Sequence, residues 1–385
     1  MQSQSRVNSQ RFWGALDIVE KQKRIGLLQR QLLEYTFSHQ GQHDEKNINH
    51  RLNIWHELGL AYCSIGDFRK ALNTFQEALN FINNNEDDDY IDIQSTLLHQ
   101  LGWLYSVVGK VKEAVDLYQQ SLKLKDRIGD IPGTAATLHK LALVYGNSGD
   151  IDKAFGLYQQ SLKLTEEVGD IQGQAENLQN LARIYIYKKE VDRGIILYQR
   201  SLSLQQMIGD IEGQAATLHN LAAIFNDLGN LEQAFAFYQQ SLNITETTGD
   251  IRAKAITLNN LAEIYARKED IDKAINLYQQ SLEIFEKLGD VQGKAATLHN
   301  LADIHVSLGD ITKAIALFQQ SLELEEKIGN LQGQGMTLWW LGDLAQQQGD
   351  RKAACNYLQK SLDIFEPLKS TYVEEIKHKL DKLSD

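Results

Sequence analysis

A segment of forty residues recurs along the chain, and its pattern predicts the architecture of the whole protein. Residues 211–250 read IEGQAATLHNLAAIFNDLGNLEQAFAFYQQSLNITETTGD. The opening of this stretch is nearly repeated at residues 131–142 and 291–302. Set in rows of forty, residues 91–370 align without gaps as seven units, and a looser eighth unit ends near residue 90. Self-similarity at a fixed period predicts a repeat architecture.

Each unit contains two apolar patterns with helical spacing. In the unit quoted above, the first pattern consists of Leu218, Leu221, Ala222 and Phe225, and the second consists of Ala234, Tyr238 and Leu242. Spacings of three and four residues place such side chains on one face of an α-helix. A two-helix unit cannot bury both faces alone, so stacking of neighbouring units is expected to form a continuous core. The predicted fold class is therefore an all-α solenoid of helical hairpins.

Glycine followed by a polar residue closes most of these helical patterns, as at Gly209, Gly229 and Gly249. Glycine accepts the left-handed conformation that ends a helix, and a following Asp or Asn can cap the next helix. Two turns lack this glycine and contain Lys189-Glu190 and Glu269-Asp270 instead. These two turns are predicted to be strained or looser.

The order of residues in the unit resembles the tetratricopeptide repeat. The positions that carry the resemblance are Leu218, Leu221, Ala222, Phe225, Ala234, Tyr238 and Ser241. The match extends over roughly residues 50–370, although the period is forty residues rather than about thirty-four. The longer period resembles kinesin light chains, the Pins/LGN polarity adaptors and bacterial sensor and adaptor proteins, and the near-identity of the units is most similar to the bacterial group. The resemblance implies a right-handed superhelical solenoid of about eight helix-turn-helix repeats with first helices on the concave side.

The chain is predicted to have three parts. Residues 1–50 are expected to form an N-terminal helical cap or the remnant of a preceding domain, an alternative that the sequence leaves open. Residues 51–370 form the repeats. Residues 371–385 carry an apolar stripe on a charged background and are expected to form a C-terminal capping helix, because a solenoid must cover its last apolar face.

Composition and motifs exclude several functions. The net charge of −12 argues against binding to nucleic acid or an acidic membrane, and the first residues and the apolar runs suit neither a signal peptide nor a transmembrane helix. The two cysteines are far apart in the sequence. No catalytic motif and no metal-ligand spacing occurs. The chain is therefore expected to be a cytoplasmic, non-enzymatic protein without metal or cofactor.

The predicted binding groove consists of polar residues on the core-opposed face of the first helices. An asparagine ladder is formed by Asn180, Asn220, Asn260 and Asn300, and beside it lie His99, His139, His219 and His299. One amide per repeat, spaced by roughly 10 Å, could contact every third peptide bond of an extended segment. Tetratricopeptide relatives that bind extended peptides use asparagines at the equivalent place, which the resemblance implies for these four. The alternative is that these Asn and His side chains only hydrogen-bond to neighbouring helices.

The same face changes in character along the sequence. Toward the start it carries Lys140, Arg183, Trp103 and Tyr187, and toward the end Glu263, Asp303 and Asp343. The last repeat contains Trp339 and Trp340, which either bind a partner or are buried under the C-terminal helix. A segment with matching charges would be favoured in register and encounter rate.

The leading functional prediction is an adaptor that binds an extended or helical segment of a partner protein. A second possibility is a sensory or regulatory module whose superhelix changes shape when a ligand binds. A third is an architectural spacer that forms homo-oligomers through repeated Gln-Gln pairs such as Gln279-Gln280, although the pattern of these pairs favours copied surface residues over a contact surface.

Overall fold

The computed structural model describes residues 13, 16–38, 45–84 and 90–384. Within these residues the secondary structure consists of eighteen α-helices, without any strand. The chain divides into two compact units, Met1–Ile208 and Gly209–Asp385. No helix in the described part of the chain is long and apolar enough to cross a membrane. The prediction of an all-α repeat fold is confirmed.

The helices alternate along the sequence as the repeats predict. The first unit contains α1 (Ile18–Ser38), α2 (Glu45–Ser64), α3 (Phe68–Asn83), α4 (Ile91–Val107), α5 (Val111–Ile128), α6 (Ile131–Asn147), α7 (Ile151–Val168), α8 (Ile171–Tyr187) and α9 (Val191–Ile208). The second unit contains α10 (Ile211–Asp227), α11 (Leu231–Thr248), α12 (Ile251–Arg267), α13 (Ile271–Leu288), α14 (Val291–Ser307), α15 (Ile311–Ile328), α16 (Leu331–Gln347), α17 (Arg351–Phe365) and α18 (Val373–Ser384). Even-numbered helices from α2 to α16 are the first helices of the hairpins, and odd-numbered helices from α3 to α17 are the second.

The turn between α13 and α14 shows how one helix ends and the next begins. Gly289 has a φ of 65°, and the backbone N–H of Asp290 donates to the carbonyl oxygen of Phe285 at 2.9 Å. The Asp290 carboxylate then accepts the N–H of Gly293 at 3.0 Å, which caps α14. Such a cap stabilises a helix by about 1 kcal/mol. Repetition of this turn sets the boundaries of the hairpins.

The two turns without glycine adopt the same left-handed backbone. Lys189 has a φ of 65° and Glu269 a φ of 64°. A side chain at such a φ crowds the adjacent carbonyl oxygen, so both residues are strained, as the sequence predicted.

A buried serine joins the two helices of each hairpin from α4/α5 to α16/α17, whereas the α2/α3 hairpin has Ala78 at this position. In the repeat formed by α12 and α13, the Ser281 hydroxyl donates to the carbonyl oxygen of Ala255 at 2.9 Å, and the serine is fully buried. The equivalent serines, which make the same bond to the residue 26 positions earlier, are Ser121, Ser161, Ser201, Ser241, Ser321 and Ser361. Ala262, Ala274 and Tyr278 of the same hairpin are also buried. This hydrogen bond between the serine and the first helix sets how closely the two helices approach.

The first and last helices of the described chain cover apolar residues of their neighbours. Ile25 of α1 is buried in one core cluster with Trp55 and Leu58 of α2. At the other end, Ile376 of α18 is fully buried in a cluster with Phe365 of α17. Helix α2 begins at Glu45, ahead of residue 51, and residues 1–12, 14–15 and 39–44 of the predicted N-terminal part lie outside the described residues.

Candidate functional site

The first helices present one face to the core and another to solvent. In α12, Leu258, Leu261 and Ile264 are buried, whereas Asn260 and Glu263 are only half-buried. The first helices of successive repeats contact each other, as α12 and α14 do. We call the partly exposed side of these helices the first-helix face. It is defined by the positions equivalent to residues 259, 260, 263 and 267 of α12.

The histidines of this face lie in contacts between helices. Each ring packs edge-on against an aromatic residue of its own hairpin, for example His299 against Phe318 at a centroid distance of 5.0 Å. The Nδ1 atom of His299 is also 3.0 Å from the Thr337 hydroxyl of the next repeat, and the Nδ1 atom of His139 is 3.0 Å from the Asn177 amide oxygen. His139 is 8% exposed. The histidines therefore follow the alternative of helix-to-helix bonding, and we do not include them in the proposed binding residues.

The four asparagines of the ladder are half-buried, and their side-chain amides form only some of the hydrogen bonds that they can make. Asn180 donates to the carbonyl oxygen of Glu176 at 2.9 Å and accepts from Arg183 at 2.7 Å. In the second unit, Asn260 lies 3.2 Å from the His219 ring, and Asn300 donates to Asn259 over a long 3.5 Å. Each amide has three or four hydrogen-bonding positions, so these contacts leave capacity for a ligand. Asn220 is likewise half-buried on α10.

The remaining predicted residues of the first unit differ widely in exposure. Tyr187 is 71% exposed, and Arg183 is exposed beside Asn180. Lys140 and Trp103 are half-buried, and the Trp103 ring meets Phe68 edge-on at 5.9 Å. The structure brings Asn180 and Arg183 together but records no contact that joins them to Trp103.

The last repeat is covered by the chain itself. Trp339 packs against Tyr372 and carries the Lys379 ammonium 4.7 Å above its ring. Lys379 also forms a salt bridge with Asp343. Trp340 stacks on Phe318 at 5.9 Å. Trp339 contacts the C-terminal helix, whereas Trp340 packs on Phe318 of α15, and both side chains are half-buried. Because these groups are already paired or packed, Trp339, Trp340 and Asp343 are left out of the proposed site.

A cavity of about 410 Å³ opens on the first-helix face of the second unit. Its walls come from α12 and α14, with α13 below, and we call it the acidic cavity. Its lining residues are Glu263, Ala266, Arg267, Ile271, Tyr278, Asn300, Asp303, Ile304 and Ser307. The small side chains of Ala266 and Ser307 leave the space between α12 and α14 unfilled.

The charges around the acidic cavity are arranged by a hydrogen-bonded network. The Asn226 amide donates to Glu263 at 3.0 Å, and Arg267 donates to the Asn226 side-chain oxygen at 2.7 Å and to its carbonyl oxygen at 2.9 Å. Burial, followed by the negative charge of Glu263, raises the pKa of Asp303 above its ordinary value. The same carboxylates and, above all, burial raise the pKa of Tyr278. The cavity therefore disfavours additional negative charge.

Three of the residues predicted from the sequence meet in this cavity, namely Asn300, Glu263 and Asp303. The sequence did not indicate Arg267, and it placed Tyr278, the equivalent of Tyr238, in the apolar pattern of the second helix. A signal was present at residue 259, where Asn replaces the histidine that covers the equivalent aromatic ring in neighbouring repeats, as His219 covers Tyr238 at 5.2 Å. Among the described residues, no group of three or more His, Cys, Asp or Glu side chains is placed to hold a metal ion.

Comparison with known proteins gives the following matches. The tetratricopeptide repeat family model matches residues 50–127, 105–167, 133–206, 172–247 and 253–327, and a second model of the same description matches 337–366. No curated protein sequence matches the chain significantly.

Several solved structures share the fold. The apo quorum sensor NprR from B. thuringiensis is 14% identical with a TM-score of 0.64, over 95% of this chain and 100% of that one. A Rap protein complexed with competence and sporulation factor is 15% identical with a TM-score of 0.59, over 99% of each chain. A signal transduction ATPase with a tetratricopeptide repeat sensor, from Pyrococcus horikoshii, is 14% identical with a TM-score of 0.63, over 94% of this chain and 55% of that one. At these identities the likeness concerns the fold alone. Since the family models match most of its residues, the chain belongs to the tetratricopeptide repeat family.

Proposed function

We propose that this protein is a non-enzymatic adaptor that binds a segment of a partner protein on its first-helix face. The observation that carries the proposal is the row of half-buried amides, of which Asn260 and Asn300 belong to adjacent repeats. Asn300 also lines an open cavity. Folded surfaces that keep amides partly exposed beside a cavity are suited to backbone groups of another chain, since an amide both donates and accepts. A solved Rap protein with this fold carries a bound factor, which supports the proposal.

The test is affinity capture from the native cell extract with a fourfold variant. Asn180→Ala, Asn220→Ala, Asn260→Ala and Asn300→Ala together remove the amides. We expect the bound proteins, identified by mass spectrometry, to be lost while circular dichroism stays helical. A thermal melt accompanies the capture because Asn260 and Asn300 also bond to neighbouring repeats.

A matched control replaces four exposed glutamines of the second helices, Gln120, Gln160, Gln280 and Gln320, with alanine. This variant removes the same number of amides from another surface and should capture the same proteins as the wild type. If the asparagine variant retains its partners as well, the first-helix face is not the binding surface.

A sensory role is the second candidate. Two structural neighbours are described as sensors, with TM-scores of 0.63 and 0.64 over 94% and 95% of this chain. In this version, binding of the partner segment changes the spacing of adjacent hairpins and so alters an attached effector. Small-angle scattering with and without a captured partner segment measures this change. An identical radius of gyration at saturation would contradict the sensory role and would leave the adaptor role as the remaining proposal.

A further inference from the structure

The acidic cavity offers several hydrogen-bond acceptors and few donors. Glu263 uses one carboxylate oxygen to accept from Asn226, so its second oxygen stays available. Asn300 directs its amide N–H toward Asn259, which leaves its carbonyl oxygen to accept. Asp303 lines the same cavity and forms no salt bridge with another described residue. Arg267, the cation among the lining residues, is held by the side chain and backbone of Asn226.

Tyr278 is a second and independent sign of a ligand. Its side chain lines the cavity, yet the residue is only 2% exposed. No hydrogen bond joins its hydroxyl to another described residue, and the hydroxyl oxygen keeps some accessible surface at the cavity that the residue lines. A ligand in the cavity would supply a partner for this hydroxyl.

We propose that the acidic cavity binds the guanidinium group of an arginine side chain in the partner segment. The inference rests on the proposed function, since the arginine belongs to a segment that lies on the first-helix face. A guanidinium group has five N–H donors and no acceptor, which matches the two carboxylates, the Asn300 carbonyl and the Tyr278 hydroxyl. A cavity of about 410 Å³ accommodates a long side chain.

A metal ion suits this site less well. Hard cations such as calcium take six to eight oxygen ligands, several of them carboxylates. Among the described residues that line the cavity there are two carboxylates, Glu263 and Asp303, and the side-chain oxygens of Asn300, Ser307 and Tyr278 complete the acceptors. Charge-assisted hydrogen bonds to a planar donor group need no such coordination shell.

The binding should also depend on pH and salt. Asp303 must be ionised to attract the arginine, and its raised pKa means that acid removes its charge earlier than from an ordinary aspartate. Binding therefore weakens as the pH falls through this raised pKa. Added salt screens the attraction and weakens it too.

The experiment uses two libraries of blocked pentapeptides with a fixed central residue and mixed flanking residues. One library has arginine at the centre, and the other has citrulline, which keeps the shape of arginine without its charge. The full-length protein is immobilised, and the retained fraction of each library is measured. We expect the arginine library to be retained about tenfold more, because loss of hydrogen bonds to charged groups costs about 1.5 kcal/mol or more.

Three variants test whether the preference for arginine over citrulline depends on the acidic cavity. Glu263→Gln and Asp303→Asn remove one charge each and should reduce the arginine-to-citrulline ratio toward one, whereas Glu326→Gln, exposed on α15, should leave it unchanged. Equal retention of the two libraries by the wild type, or retention of neither, overturns the arginine pocket. The adaptor proposal stands or falls separately, on whether the fourfold asparagine variant still captures its partners.

Discussion

The backbone at Lys189 and Glu269 carries strain that a single substitution can remove. Their φ angles of 65° and 64° lie in the left-handed region, which costs about 1–2 kcal/mol for a residue with a side chain. Glycine avoids this cost but loses about 0.5–1 kcal/mol through the greater entropy of the unfolded chain. Lys189→Gly and Glu269→Gly are therefore expected to raise the free energy of unfolding by roughly 0.5–1 kcal/mol each.

Denaturant unfolding followed by circular dichroism measures the change. Lys188→Gly is the control, because Lys188 has a φ of −76° and glycine relieves no strain there, while its salt bridge with Asp152 is lost. This control should lower the stability slightly. Stabilisation by Lys188→Gly, or destabilisation by Lys189→Gly, would contradict the assignment of strain to the left-handed residue.

The sequence identified which residues face the core but not what each polar residue bonds to. The periodicity placed Leu258 and Leu261 in the core and Asn260 on the opposite face, and the structure agrees. It could not show that His299 bonds to Thr337 of the next repeat, because repetition copies a residue that binds a ligand and one that joins helices in the same way. The acidic cavity could not be predicted from the sequence either, because it depends on the side-chain volumes of three helices together.

At the scale of the helical hairpin, the buried serine should contribute measurably to stability. Ser281→Ala removes the bond to the carbonyl oxygen of Ala255 and is expected to lower the free energy of unfolding by about 1 kcal/mol. Ser203 is the control, because its exposed hydroxyl bonds to Gln199 within its own helix. Urea titrations of Ser281→Ala and Ser203→Ala are compared, and equal effects would mean that the serine acts only through its small volume.

We predict that one charged substitution in the C-terminal helix α18 separates it from the last repeat. Ile376 is fully buried between α18 and α17, so Ile376→Asp places a carboxylate among apolar side chains, at a cost of several kcal/mol. We expect α18 to separate and Trp339 to become exposed, with a red shift of the tryptophan emission. His378→Asp introduces the same residue at an exposed position of α18 and should leave the emission unchanged. A shift in both variants, or in neither, would argue against the packing of α18 on Trp339.

Across the whole molecule, four histidines in different repeats have pKa values below the ordinary value, and in each case burial is the main cause. Burial lowers the pKa of His99 to about 3, with further contributions from the nearby charges of Lys125 and Lys140. Burial likewise lowers the pKa of His299 to about 4, and lowers the pKa values of His139 and His219. The carboxyls of Asp303 and Glu325 have raised pKa values and act in the opposite direction, because they take up protons more readily in the folded state.

Because the pKa values of these four histidines are lowered in the folded state, we predict that the free energy of unfolding decreases in mild acid. Below about pH 6.5 the unfolded chain binds protons at these four histidines more readily than the folded chain does, so their contribution to stability is complete above that pH and declines as the pH falls. Each histidine adds at most one proton to the difference, or about 1.4 kcal/mol per pH unit. Replacing His99, His139, His219 and His299 with asparagine, which already occupies the equivalent position at residue 259, should flatten the decline between pH 7 and 5. Urea midpoints at pH 7, 6 and 5 measure it. If wild type and variant lose stability in parallel, other groups govern the response, because the substituted rings are the only difference between the two proteins.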